Sequence, residues 1–213
     1  MQIQPRPTDA LLVIDMQIDF MPGGPLGVRG GDEIISGINA LARRFDHVIL
    51  TQDWHPAEHI SFASTHGMRP FADTMEASYG TQALWPDHCL QGTAGAGLAP
   101  ALDIPHTELI LRKGFRRDID SYSAFTENDG TTATGLAGYL RERGLTRLLF
   151  TGVAYDFCVG FSAVAAAKLG FEVVVVEDLT RAVGLPGTVA RTEEMFARHN
   201  IARVGADAIS AER

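Results

Sequence analysis

Cysteine is scarce in this 213-residue chain, which contains two, Cys89 and Cys158. Two thiols make a poor disulfide framework at this length, so a packed core must hold the fold and a reducing cytoplasm is the expected setting. Basic charge is also short, with 18 Lys and Arg against 26 Asp and Glu and a net charge of −8. That balance removes the electrostatic basis for a sequence-independent grip on nucleic acid or anionic lipid. No apolar run approaches the roughly 18 residues that cross a bilayer. The longest are Ala10–Ile14, Ala163–Ala167 and Val173–Val176. The opening MQIQPRPTD lacks the basic start and long apolar stretch of a signal peptide. Internal repeats, low-complexity tracts and a convincing linker are missing too. No G-x-G-x-x-G opens a helix after the first apolar run, where DMQIDFMPGG stands, which argues against a dinucleotide-binding oxidoreductase.

Hydrophobic residues make up 46% of the chain and charged residues 21%, enough apolar surface for the core of one domain over residues 1–213. Short apolar runs recur at Ala10–Ile14, His47–Thr51, Glu108–Leu111, Arg147–Val153, Phe171–Val176 and, more weakly, Ile201–Val204. Near-continuous apolar character suits strands covered on both faces, as in a parallel sheet. Helical spacing lies between them: a helix capped by Asp32, a segment at Gly130–Arg143 stopped by Gly144, another at Cys158–Leu169, and a last at Thr188–His199. The alternation predicts a doubly wound α/β fold with a mostly parallel sheet of about six strands and helices on both faces. The exception is a long insertion at about residues 53–104, with little periodicity but with Trp, Pro, Gly and His55, His59, His66 and His88. A connection that long in a compact domain is usually functional or disordered, and its aromatic and metal-friendly content favours the first.

Ligands of open α/β sheets bind beyond the carboxyl ends of the strands, and those ends carry ionisable residues here. Cys158 follows LTRLLFTGV and opens a helix, where unpaired N–H groups and the helix dipole favour a thiolate and lower its pKa. Asp15 ends ALLVID, where partial desolvation raises the carboxyl and suits it to carry a proton. Lys113 ends TELILRK and supplies a cation. Each alone has a bland reading (a buried thiol, a loop carboxylate, a solvated lysine), but together they form a nucleophile, a base and a cation. Asp53 and His55, two apart on an extended segment, project to one side. With His59 or His88 they make a carboxylate–imidazole set suited to Zn²⁺, Fe²⁺ or Mn²⁺ with open positions.

Assembled, the segments LLVIDMQIDFMPGGPLGV, VILTQDWHPAEHISFA, LWPDHCLQGTAGAGL, LRKGFRRDIDSYSAF and TGVAYDFCV resemble the isochorismatase-like cysteine hydrolases over nearly the whole chain. The pair TQDWHP and WPDHC resembles their nicotinamidase (pyrazinamidase) branch. The resemblance implies a Rossmann-like three-layer fold and hydrolysis of nicotinamide, as part of NAD salvage, through a thioester, with pyrazinamide also accepted. It implies Asp15, Lys113 and Cys158 as catalytic triad. Ala154, after a cis peptide, and Cys158 would provide the backbone oxyanion hole. Asp53, His55 and His88 would be ligands of one divalent ion, most often zinc, with Ser61 reaching it through water. Phe20, Trp85, Tyr122 and Phe157 would form the ring slot, and the subunits a homo-oligomer. Ile18 and Tyr155 depart from the Asn and Thr common in relatives. Related hydrolases acting on N-carbamoyl or maleamate-like amides, and a non-catalytic metabolite-binding homologue, remain as alternatives.

Overall fold

The computed structural model of the protein describes residues 2–210. Six strands, β1 (Asp9–Ile14), β2 (His47–Asp53), β5 (Leu109–Lys113), β6 (Arg147–Val153), β7 (Glu172–Arg181) and β8 (Ala202–Val204), form one parallel sheet in the order β5-β2-β1-β6-β7-β8. The chain first grows the sheet outward from β1 to β2 and β5, then crosses over to β6 on the other side of β1. The seam between β1 and β6 is therefore the point where strand order reverses, and a crevice opens beyond the strand ends there.

Period-2 alternation decides what each face buries. Along β1, Leu11 and Val13 pack into one core with Ile35, Ile38 and Leu41 of α1 (Ile35–Ala42). Ala10, Leu12 and Ile14 pack into a second core with α3 (Leu136–Glu142), α4 (Gly160–Lys168) and α5 (Thr188–Arg198). All six β1 residues are buried, as the unbroken apolar run requires. No helix among the described residues is long and apolar enough to cross a membrane.

Several boundaries differ from expectation. Helix α1 starts at Ile35 after turns, with Ile34 at its N-cap, so Asp32 caps nothing. The segment expected as a helix from Gly130 becomes helical only at Leu136, because Thr126 and Ala133 form a bridge and the Asp129 side chain binds Thr131 and Thr132 in a tight turn. Cys158 lies in a π-helical turn, Tyr155–Val159, that leads into α4. The insertion at 53–104 contains the short helix α2 (Ala63–His66) and an antiparallel hairpin, β3 (Thr74–Ala77) with β4 (Gly80–Ala83).

Gly152 locks the β1–β6 seam. Its φ is +101°, and a Cβ there would fall on the Ile14 carbonyl oxygen and nitrogen of the neighbouring strand. Gly152→Ala is therefore expected to destabilise the protein by more than about 2 kcal/mol, since both backbone strain and a collision with backbone must be relieved. Chemical denaturation checks this, and a change within about 0.5 kcal/mol would mean that the seam has slack.

Candidate active site

The three reactive residues expected from the sequence meet at the strand-order reversal. Asp15 follows β1 directly in a left-handed conformation (φ +48°), one that Asp tolerates better than most side chains. Its N–H donates to Thr51 Oγ1 at 3.1 Å, and the Thr51 hydroxyl donates back to Asp15 Oδ1 at 2.6 Å. Lys113, the last residue of edge strand β5, is 1% exposed and extends across β2 to the end of β1. Its Nζ lies 2.9 Å from Asp15 Oδ2, donates to the Ser121 carbonyl at 3.0 Å and to Cys158 Sγ at 3.4 Å, and is paired with Asp53 Oδ1. Asp53 stands opposite Lys113 in the β2–β5 register, which is why the ammonium is shared by two carboxylates. The Asp15, Asp53 and Cys158 ligand atoms all lie within 4.8 Å of one another.

Electrostatics follow from this enclosure. Burial pushes the Asp15 carboxyl above its ordinary range, against the pull of Lys113. Burial acts on Asp53 in the same direction, but Lys113 and His55 override it and hold Asp53 well below the usual carboxylate range. Lys113 is itself raised although burial disfavours its charge, because Asp15 and Asp53 face it. The expected lowering of the Cys158 thiol does not hold. Burial raises it well above the ordinary value, and Asp15 and Asp53 add to that rise while Lys113 opposes it. The resting sulfur is a thiol, and an adjacent base must take its proton. Asp15 Oδ2 is poised to do so. It is buried, lies 2.9 Å from the Lys113 ammonium and is within reach of the Cys158 thiol, whose proton it faces.

The expected metal-binding residues also converge. His55 Nε2 is 3.7 Å and His88 Nε2 4.0 Å from Asp53 Oδ2, and the three residues are buried. Each imidazole donates its Nδ1–H to a backbone carbonyl, His55 to Gly114 at 2.8 Å and His88 to Pro86 at 2.7 Å. That orients both rings with Nε2 toward Asp53; burial opposes a charge on His55 but the Asp53 carboxylate raises it, so a cation bound there would take the place of the His55 Nε2 proton. Burial and the neighbouring His55 bring His88 down to about 4, so it is a neutral donor near pH 7. One ionised carboxylate and two oriented imidazoles fit a divalent cation of the zinc type. Gly114 makes room for this set, since a Cβ there would press on the His55 ring. His59 stacks on His55 with centroids 4.2 Å apart, its Nδ1 lies 2.8 Å from Ser61 Oγ, and its buried Nε2 is unpartnered.

Above these groups lies a narrow cavity of about 30 Å³. Phe20, Trp85, Tyr122 and Phe157 line it as expected, with Ala154, Cys158, Asp53, His55 and His88. The rings of Trp85 and Phe157 meet edge-on with centroids 4.9 Å apart. The peptide before Ala154 is cis. Residues with no signal in the sequence join them: Leu26, Asp120 and Val183 line the cavity. Gln17 clamps the metal-side strand end, donating to the Asp53 and Ala96 carbonyls at 2.8 and 2.9 Å and accepting the Asp53 N–H at 2.7 Å. Gln17 follows Asp15 by two and was recognisable as part of the DMQIDF segment, but its partner lies 36 residues on.

The family model described as Isochorismatase domain matches residues 9–212. A nicotinamidase of Acinetobacter baylyi is 53% identical over 190 residues, 88% of this chain and 88% of that one. A solved nicotinamidase/pyrazinamidase of Acinetobacter baumannii matches with a TM-score of 0.93 at 48% identity, covering 95% of this chain and 98% of the other. A pyrazinamidase of Pyrococcus horikoshii, solved in complex with zinc, matches with a TM-score of 0.76 at 36% identity over 93% of this chain and 99% of its own.

Proposed function

The chain belongs to the isochorismatase family, whose domain spans its residues 9–212, and from that premise we propose that it is an amidohydrolase converting nicotinamide to nicotinate and ammonia. The observation that carries the reading is the contact of the Cys158 sulfur with a Lys113–Asp15 ion pair, beside a carboxylate–imidazole cluster and under an aromatic slot. Pyrazinamide, with the same carboxamide on a similar ring, is a second substrate. The full chain, 1–213, acts as one domain whose insertion at about 53–104 carries metal and substrate contacts.

Cys158, Asp15 and Lys113 are the catalytic residues. Asp15 Oδ2 takes the thiol proton as the sulfur attacks the carboxamide carbon, and the carbonyl oxygen becomes an oxyanion facing the N–H groups of Ala154 and Cys158. Asp15 then returns the proton to the amide nitrogen, the C–N bond breaks, and ammonia leaves a thioester. A water attacks that thioester with Asp15 as base, and the sulfur departs and recovers its proton from Asp15, releasing nicotinate. Lys113 keeps the Asp15 carboxylate charged before transfer and offsets the negative charge that develops at sulfur. Phe20, Trp85, Tyr122 and Phe157 hold the ring flat and exclude water from it. Asp53, His55 and His88 would hold a divalent ion, zinc in our reading, and such an ion supplies a Lewis-acid anchor for the pyridine nitrogen. Two free, buried cysteines support a cytoplasmic enzyme, and the family resemblance a homo-oligomeric one.

Ammonia release from nicotinamide, measured on reduced protein with zinc and after chelation, tests the reading. Turnover is expected with zinc, together with a loss of more than about 10-fold after chelation that zinc reverses. No turnover by metal-loaded, reduced protein would refute nicotinamide as substrate. Turnover that ignores chelation would refute the metal assignment alone.

A further inference from the structure

The hairpin β3–β4 presents mostly exposed or half-exposed side chains, with one exception, Gln82, which is 1% exposed. Every polar atom of its amide is engaged. Oε1 accepts from Tyr79 OH at 2.9 Å and from Asn128 Nδ2 at 3.3 Å. The two Nε2 hydrogens go to Asp120 Oδ2 and the Ala83 carbonyl, each at 2.8 Å, and one of them is shared with Tyr122 OH at 3.2 Å. Asp120 and Tyr122 both line the catalytic cavity. The connection runs deeper through Asp120, whose Oδ1 accepts the Ser121 N–H at 2.8 Å, while the Ser121 carbonyl accepts from the Lys113 ammonium at 3.0 Å.

Tyr122 needs a tether of this kind. Together with Phe157 it forms a wall, with the catalytic cavity on one side and a second cavity of about 550 Å³ on the other. That second cavity is an open cleft, so the Tyr122 ring packs against Phe157, Phe161 and Trp85, with centroids 5.4, 5.3 and 6.4 Å away, but lacks cover on the cleft side. Its hydroxyl accepts from Trp85 Nε1 at 3.1 Å and from a shared Gln82 Nε2 hydrogen at 3.2 Å. An amide suits position 82 because it donates to the Asp120 carboxylate while accepting from Tyr79. A carboxylate there would repel Asp120, and a hydrocarbon would leave Asp120 and Tyr79 short of partners.

We propose that Gln82 is a positioning residue for the reaction, latching Tyr122 and Asp120 so that the hairpin sets the affinity of the ring slot. The proposal rests on the amidohydrolase reading above. Gln82→Met keeps length and bulk without hydrogen bonds, and Gln82→Glu adds repulsion if the first variant folds poorly. Gln82→Met is expected to raise KM for nicotinamide by about tenfold, with kcat within about threefold of the parent. Gln82→Glu raises KM further. Combined with Tyr122→Phe, Gln82→Met raises KM by less than the product of the two single effects, because the Tyr122 arm of the latch is broken in both. Amide hydrogen exchange over residues 119–128 quickens in both Gln82 variants, while exchange in β1 and β6 stays at the parental rate. An unchanged KM, a kcat loss as large as the KM rise, additive effects of the two substitutions, or unchanged exchange in 119–128 would each overturn the latch. If the parent protein shows no turnover, the amidohydrolase reading fails, and the exchange measurement still decides whether Gln82 holds this segment.

Discussion

Cys158→Ala is expected to lower nicotinamide turnover by at least about 10⁴-fold, the scale seen when the nucleophile of a covalent mechanism is removed. The protein should stay folded. The residue is buried within the second core, so loss of one sulfur leaves a small cavity at a cost of about 1 kcal/mol. Nicotinate binding should persist, because the aromatic wall and the metal-side donors do not depend on sulfur. Single-turnover assays, calorimetric binding and thermal denaturation on the same preparation separate these outcomes. Residual activity well above background would mean that a water is activated directly and that no thioester forms. The raised thiol sharpens this expectation: attack waits on proton transfer to Asp15, so Asp15 and Cys158 act as a unit and their losses will not add.

Lys113→Met is expected to damage stability and catalysis together. The ammonium is buried and is the cation shared by Asp15 and Asp53, two carboxylates that are themselves buried. Its removal leaves two like charges in one low-dielectric pocket, a loss of about 3–5 kcal/mol when one partner of a buried pair is deleted. In a chain of this size that is a fall of about 10 °C in Tm. The carboxylates can relieve the repulsion by taking up a proton, and a protonated Asp15 cannot accept one from the thiol. Activity near pH 7 should therefore drop by about 10³-fold or more. Thermal denaturation and ammonia release check both halves. A variant as stable as its parent would show that another group neutralises the carboxylates.

The fold was legible in the chain to the extent that its signals were local. Each of the six sheet strands overlaps an apolar run, and the run is unbroken or nearly so in the central strands β1 and β6, which are buried on both faces, while the edge strands β5 and β8 are only partly covered. The less legible elements were those fixed by local polar bonds or by partners distant in sequence. Asp129 turns the chain where helical spacing began, and the hairpin alternates exposure without a strong apolar face. Gln82 gave no signal because its partners on the site side, Asp120, Tyr122 and Asn128, lie 38 to 46 residues away.

The site divides in the same way. Residue identity fixed the chemical inventory, a thiol, a buried carboxylate, an ammonium and a carboxylate–imidazole set, and placed each at a strand end. Only the assembled sheet decided that Lys113 crosses from the edge strand to the sulfur, that it is shared by two acids, and that the thiol rests protonated instead of ionised. The reason is physical. A strand ending is encoded by its neighbours in sequence, whereas the charge state of a buried group depends on desolvation and on whichever charges the tertiary fold brings within a few ångströms.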